Sequence, residues 1–297
     1  EKYVGGIFGR LENSISAKSN YILNIKNLTN EGDITGKEYV GGVLGYIIGN
    51  NSNTSYTTKV TFNNLNNTGD ITGEFYVGGL IGFGNSDNNE SVIENSTSVA
   101  NITSKAYVGG IAGVLESIGI KGCSNKNSQI TATEYKIIDA NFYAYVGGYV
   151  GNGYFVKDCV NEVDINYDQE GIGVGGIAGI LTNGAEGCKN TANIIAPNSQ
   201  YVGGIAGLIK INSNITYKAL ENTGKVTSTS YVGGLIGSLE HSVNAKANYS
   251  VSIQQSSNSG IITGTEYVGG LIGNVLVDNL NATYVSKLEG ITLNNTG

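Results

Sequence analysis

Several stretches of the chain alternate polar and apolar residues with a period of two. Thr57-Thr58-Lys59-Val60-Thr61-Phe62 and Ala247-Asn248-Tyr249-Ser250-Val251-Ser252-Ile253 are the clearest. Alternation of this kind, in segments rich in Ile, Val, Thr and Tyr, predicts half-buried β-strands. Helix is disfavoured, because no 11-residue window keeps a 3.6-residue period and glycine accounts for 45 of 297 residues.

The alternating stretches are punctuated by a motif, Tyr-Val-Gly-Gly followed by two apolar residues and Gly. It begins at Tyr3, Tyr39, Tyr76, Tyr107, Tyr145, Tyr201, Tyr231 and Tyr267, with a degenerate copy at Gly173, at intervals of 28 to 38 residues. A period in that range marks a stacked array. A second motif precedes each copy, clearest as Leu65-Asn66-Asn67-Thr68-Gly69-Asp70-Ile71-Thr72-Gly73 and repeated at 28–36 and 256–264. One of its slots holds Asn30, Asn67, Asn125, Asn161, Asn190, Asn222, Asn258 and Asn295, with Ser98 the exception. The apolar slot that follows holds Ile34, Ile71, Ile102, Ile130, Ile165, Ile194, Val226 and Ile262.

These spacings predict about three strands per repeat: Tyr-Val-Gly-Gly with its apolar extension, the variable segment, and Asn-x-Gly-x-Ile-Thr. Stacking nine such coils gives an all-β chain, a right-handed parallel β-solenoid running continuously over 1–297 as a rod roughly 45 Å long. The paired glycines are expected at a sharp bend or a close backbone approach. The pattern leaves open whether the motif tyrosines point inward or outward.

Composition sharpens this picture. Charged residues make up 14% of the chain, well below the roughly 25% of an average soluble protein. Asn, Ser and Thr carry the polar load instead, which suits strands stacked about 4.8 Å apart, where like charges repel. A net charge of −7 without a Lys/Arg stripe excludes a phosphate-backbone partner, so no nucleic acid is expected. No run of 18 apolar residues is present, so no membrane span is expected either. The chain contains no methionine, which reads as a mature form or a piece of something longer.

Gly79-Leu80-Ile81-Gly82, Gly234-Leu235-Ile236-Gly237 and Gly270-Leu271-Ile272-Gly273, each behind Tyr-Val-Gly, resemble the GLUG motif. The upstream Asn-Thr-Gly-Asp-Ile-Thr-Gly resembles the rest of that repeat, and the Gly-Ile-Ala-Gly copies at 110–113, 176–179 and 204–207 are similar to it. The resemblance covers essentially the whole chain. It implies a secreted or surface-anchored bacterial protein of adhesin-like type, with no catalytic residues to carry over. The departure at Gly173 and the longer fourth and fifth repeats point to local irregularity.

The candidate chemistry is thin. Cys123, Cys159 and Cys188 share one slot in three successive repeats and read as stacked buried thiols, the alternative being a metal or redox trio. The Asn column reads as an internal ladder rather than a binding feature. Asp33 and Asp70 hint at calcium, yet only these two copies of Gly-Asp-Ile-Thr carry the carboxylate. His241, the one histidine, sits beside Glu240 and is expected at the surface, which leaves almost no room for a catalytic triad. Sequons at Asn27, Asn50, Asn53, Asn66, Asn95, Asn101, Asn214, Asn248 and Asn281 follow from an Asn/Thr-rich composition. A threonine face that binds ice is not expected, since the variable strands keep no Thr register.

The expectation is therefore an extracellular structural or adhesive rod with no catalytic, cofactor or metal site. Its partners would be neighbouring repeats or further copies stacked end to end, as in a filament, and a cell-surface glycan or protein. A carbohydrate-binding or carbohydrate-active β-helix is the lesser alternative. Ligand contacts are expected on the variable segments after Gly9, Gly45, Gly82, Gly113 and Gly237.

Overall fold

The computed structural model describes residues 1–13, 18–51, 53, 55–126, 129–134, 136–138, 141–241, 248–276 and 285–297, of which 136–138 and 141–143 are described by backbone alone. The sequon at Asn281 and parts of the segments after Gly9, Gly45 and Gly237 lie outside the described residues. Among the described residues the regular structure is all β, arranged as a parallel β-solenoid.

Each coil contributes to four stacked sheets rather than to three. Sheet I holds nine strands, from Lys2–Gly5 to Glu266–Gly269, with the motif valines in register from Val4 opposite Val40 to Val232 opposite Val268. Sheet II holds the nine strands that follow the glycine pair, from Phe8–Glu12 to Ile272–Leu276. Sheet III unites the variable segment with the Leu-x-Asn segment; it is unbroken in Tyr21–Asn30, Thr58–Asn67, Tyr249–Asn258 and Ser286–Asn295 and divided elsewhere. Sheet IV consists of eight short strands, from Ile34–Thr35 to Ile262–Thr263. The expected single strand through Tyr-Val-Gly-Gly-Ile-Ala-Gly is thus cut at its glycine pair and shared between sheets I and II.

Two recurrent left-handed residues turn the coil. The first precedes the Leu/Cys/Ser slot of sheet III: Asn27, Asn64, Asn95, Gly122, Asp158, Gly187, Ala219, Gln255 and Thr292 all have φ between 49° and 62°. Asn, Asp and Gly dominate because they tolerate this region at least cost. The second is the motif tyrosine itself, at φ 48° to 59° in Tyr3, Tyr39, Tyr76, Tyr107, Tyr231 and Tyr267.

The motif glycines serve close approach instead. A β-carbon on Gly42 would run into the carbonyl oxygen of Gly79 and the side chain of Asn67. On Gly45 it would stand 2.6 Å from the Val4 amide of the preceding coil. Sheets I and II therefore meet backbone to backbone, and the Asn column rests against the second glycine of each pair. This contact forms a waist between two aliphatic cores. One core lies between sheets II and III, with Leu44, Ile47, Val60, Phe62 and Leu65 among its members. The other lies behind sheets I and IV, built on Val40, Ile71, Val77, Ile102 and Val108.

Where charge does enter the outer faces, neighbouring coils pair opposite signs, as in Lys59–Glu90 (2.7 Å), Lys157–Glu186 (2.8 Å) and Lys189–Glu221 (2.8 Å). The irregularity expected in the fourth repeat is an antiparallel hairpin, Lys136–Ile138 with Asn141–Tyr143, inserted between sheets IV and I.

Candidate functional surfaces

The motif tyrosines, six of them with left-handed backbone, line up as a column of rings along sheet I, partly exposed at Tyr3, Tyr39 and Tyr76 and buried at Tyr107 and Tyr145. Tyr3, Tyr39 and Tyr76 stack with centroids 5.2 and 4.9 Å apart, and Tyr231 and Tyr267 at 4.6 Å. Tyr46 and Phe83 of sheet II form a second, stacked pair that meets the first column edge to face. Arg10 caps this strip, its guanidinium 4.9 Å from the Tyr3 ring centre. Desolvation and the neighbouring phenols push the Tyr39 hydroxyl up to about 12. The column stops at Tyr145, because the degenerate copy offers Gly173 in register with it. The sequence singled out the tyrosines but gave no sign of Tyr46 or Phe83 joining them; that pairing depends on the sheet I to sheet II bend.

The Asn column is a ladder. Asn161 donates through Nδ2 to Asn190 Oδ1 at 2.8 Å, Asn190 to Asn222 at 2.8 Å, Asn222 to Asn258 at 2.7 Å and Asn258 to Asn295 at 2.9 Å. Each also reaches the carbonyl two residues ahead in its own turn, as Asn190 does to Ala192 at 2.8 Å. With Asn161, Asn190, Asn222 and Asn258 almost wholly buried, these side chains are internal and face no ligand.

The three cysteines are free and buried, stacked in the slot that elsewhere holds Leu or Ser. Burial pushes the Cys123 and Cys188 thiols up to about 12 and Cys159 higher still, the opposite of what a reactive or metal-binding thiolate needs. Asp33 and Asp70 are placed by backbone contacts. Asp33 Oδ1 accepts from the Asp70 amide at 2.9 Å, and Asp70 Oδ1 from the Asn101 amide at 2.8 Å. Among the described residues no cluster of three or more metal-binding side chains is found.

One expectation needs correction, and one register is new. His241 is buried, not exposed: it ends the strand Ile236–His241 and its ring lies 5.3 Å from that of Tyr249. Threonine does keep a register, on sheet IV rather than on the variable strands. Thr35, Thr72, Thr103 and Thr131 align in one column, and Thr227 and Thr263 resume it beyond Asn166 and Ile195. The flanking column carries Asp33, Asp70 and Asp164, so the face is a charged, mixed surface. Several sequon side chains are engaged between coils: Asn27 Oδ1 accepts from the Asn64 side-chain amide (2.8 Å), Asn214 from the Ser250 backbone amide (2.8 Å) and Asn248 from the Val285 backbone amide (2.7 Å), and Asn101 Nδ2 donates to Asp70 (3.1 Å). Among the described residues no helix is long and apolar enough to cross a membrane.

No family model, no curated protein and no solved structure matches the chain.

Proposed function

We propose that the chain is a non-catalytic structural rod, exposed outside the cell, that holds adhesive or other functional surfaces at a distance. The observation that carries this reading is the register of sheets I and II, each of which pairs nine strands in unbroken succession from the first coil to the last. A stack of this kind resists bending and extension because, in these two sheets, every interior coil is paired with both of its neighbours. The resemblance to GLUG repeats supports the extracellular assignment. Neutral Asn, Ser and Thr ladders, buried inert thiols and the absence of methionine suit a chain that endures an oxidising exterior. The test is labelling of intact source cells with antibodies raised against the chain. Signal on unpermeabilised cells or in the culture medium is expected; signal only after permeabilisation would refute the reading.

A second reading is end-to-end stacking of copies into a filament, for which the parallel, in-register ladders of sheets I and II offer a geometry that a further coil can continue. Sedimentation of the chain over a wide concentration range separates the readings: growing oligomers favour the filament, and a constant monomer eliminates it.

A further inference from the structure

On the outer face of sheet III, in-register positions of successive coils carry Thr61, Val92, Gly119 and Phe155, and the next coil places Gly184 opposite Phe155. Phe155 thus stands between two glycines. Its Cδ1 lies 3.7 Å from where a β-carbon on Gly119 would stand, and its Cδ2 3.4 Å from the same point on Gly184. The ring therefore lies lengthwise along the rod, and neither in-register neighbour has a side chain to stack on it. On sheets I and II, by contrast, rings such as Tyr3, Tyr39 and Tyr76, and Tyr46 with Phe83, stack on one another. The missing side chain at Gly119 leaves a cleft of about 410 Å³ between Val92 and Phe155. Its rim carries Glu94, Lys121, Tyr154 and Asn183, with the Asn183 amide bonded to the Tyr154 carbonyl at 2.9 Å.

We infer that this cleft is a glycan subsite that takes one neutral pyranose ring. Phe155, half-buried and lining the cleft, offers negative π-density to the weakly positive C–H hydrogens on one side of a sugar ring. The rim supplies carboxylate acceptors (Glu90 and Glu94, the latter also holding the Asn63 side-chain amide at 2.9 Å) and an ammonium donor (Lys121), as a ring bearing a hydroxyl on most carbons requires. The lining carries two carboxylates, Glu90 (paired with Lys59 at 2.7 Å) and Glu94, against one ammonium, Lys121, which disfavours a uronate or sialate and leaves a neutral sugar. A cleft of about 410 Å³ suits a lone pyranose better than an extended peptide. This site deepens the adhesive part of the proposed function; the surface-labelling result stands or falls independently of it.

The test is saturation-transfer NMR of the full chain with the methyl glycosides of β-galactose, β-glucose, α-mannose and α-fucose. At least one is expected to receive saturation, strongest on the C–H protons of one ring face. Phe155→Ala should reduce that transfer at least tenfold. Gly119→Val fills the cleft with the residue its neighbour Val92 already carries, at a position where the nearest atom to the new β-carbon is 3.6 Å away. It should abolish transfer while leaving the circular dichroism and thermal midpoint of the parent. Absence of transfer with all four glycosides overturns the proposal, as does transfer that survives Gly119→Val in a folded protein.

Discussion

The last five rungs of the Asn ladder and the coils around Ser98 and Asn125 solve the same problem in different ways. From Asn161 to Asn295 each amide satisfies the next, and the slot behind the waist is filled by aliphatic Ile177, Ile205, Leu235 and Leu271. Around Asn125 the ladder is not continued from amide to amide. Asn125 instead directs its amide to the carbonyl of Gly148, and Tyr149 occupies the aliphatic slot. The Tyr149 hydroxyl accepts from the Asn125 amide (3.2 Å) and is also within reach of the carbonyls of Cys123 (3.1 Å) and Val160 (2.9 Å). The larger Tyr149 is accommodated because the adjoining slot holds Cys123 and Cys159, smaller than the Leu28, Leu65 and Leu220 of other coils. A buried amide is retained in both regions; what differs is whether its side chain donates to the next coil's Asn or to the next coil's Gly148 carbonyl, where the Tyr149 phenol also accepts from the Asn125 backbone N–H.

The difference can be broken most forcefully at the waist itself. Gly204→Ala would push a β-carbon into the Gly234 carbonyl and the Asn222 side chain, and should cost about 4 kcal/mol or more, read by urea unfolding. A loss under about 1 kcal/mol would mean that the waist is looser than its geometry. Asn190→Leu removes one rung and strands Asn161 Nδ2 and Asn222 on either side; the expected loss is about 3 kcal/mol in the same assay.

The thiols offer a pH-dependent contrast. Burial holds the Cys188 proton up to about pH 12, whereas the unfolded thiol releases it near its ordinary 9.0. The stability this provides is complete below pH 9 and is lost as pH rises from there toward 12, by about 1.4 kcal/mol per pH unit. Parent and Cys188→Ala should therefore converge in stability between pH 8 and pH 10.5; parallel curves would contradict the buried, protonated thiol. The smallest expected effect belongs to Tyr149→Phe. Loss of one hydroxyl should cost about 1 to 2 kcal/mol, visible as a lower urea midpoint with an unchanged slope.

Stacking, the coil boundaries and the identity of the ladder residues were legible because a solenoid writes each buried position as a repeated letter. Asn30 to Asn295 and Ile34 to Ile262 are columns in the sequence before they are columns in space. The fourth sheet was not legible, because a two-residue strand such as Ile71–Thr72 is too short to show a period of its own. Nor was the strain on the tyrosines: left-handed backbone is ordinarily assigned to glycine, and here glycine takes the close contacts while its neighbour takes the unfavourable φ. His241 went astray for a different reason, since a single histidine has no column to reveal its direction. The same holds for Phe155, whose importance comes from two glycines that are distant in sequence and adjacent only across coils.

The central claim is that nine motif copies form one in-register stack pinched at a Gly–Asn waist. Amide hydrogen exchange read along the chain tests it most directly. The account predicts strong protection recurring at the motif valines of the interior coils, Val77, Val108, Val146, Val174 and Val202, at the 28-to-38-residue spacing of the copies. Rapid exchange at those valines, or protection that ignores the spacing, would contradict it.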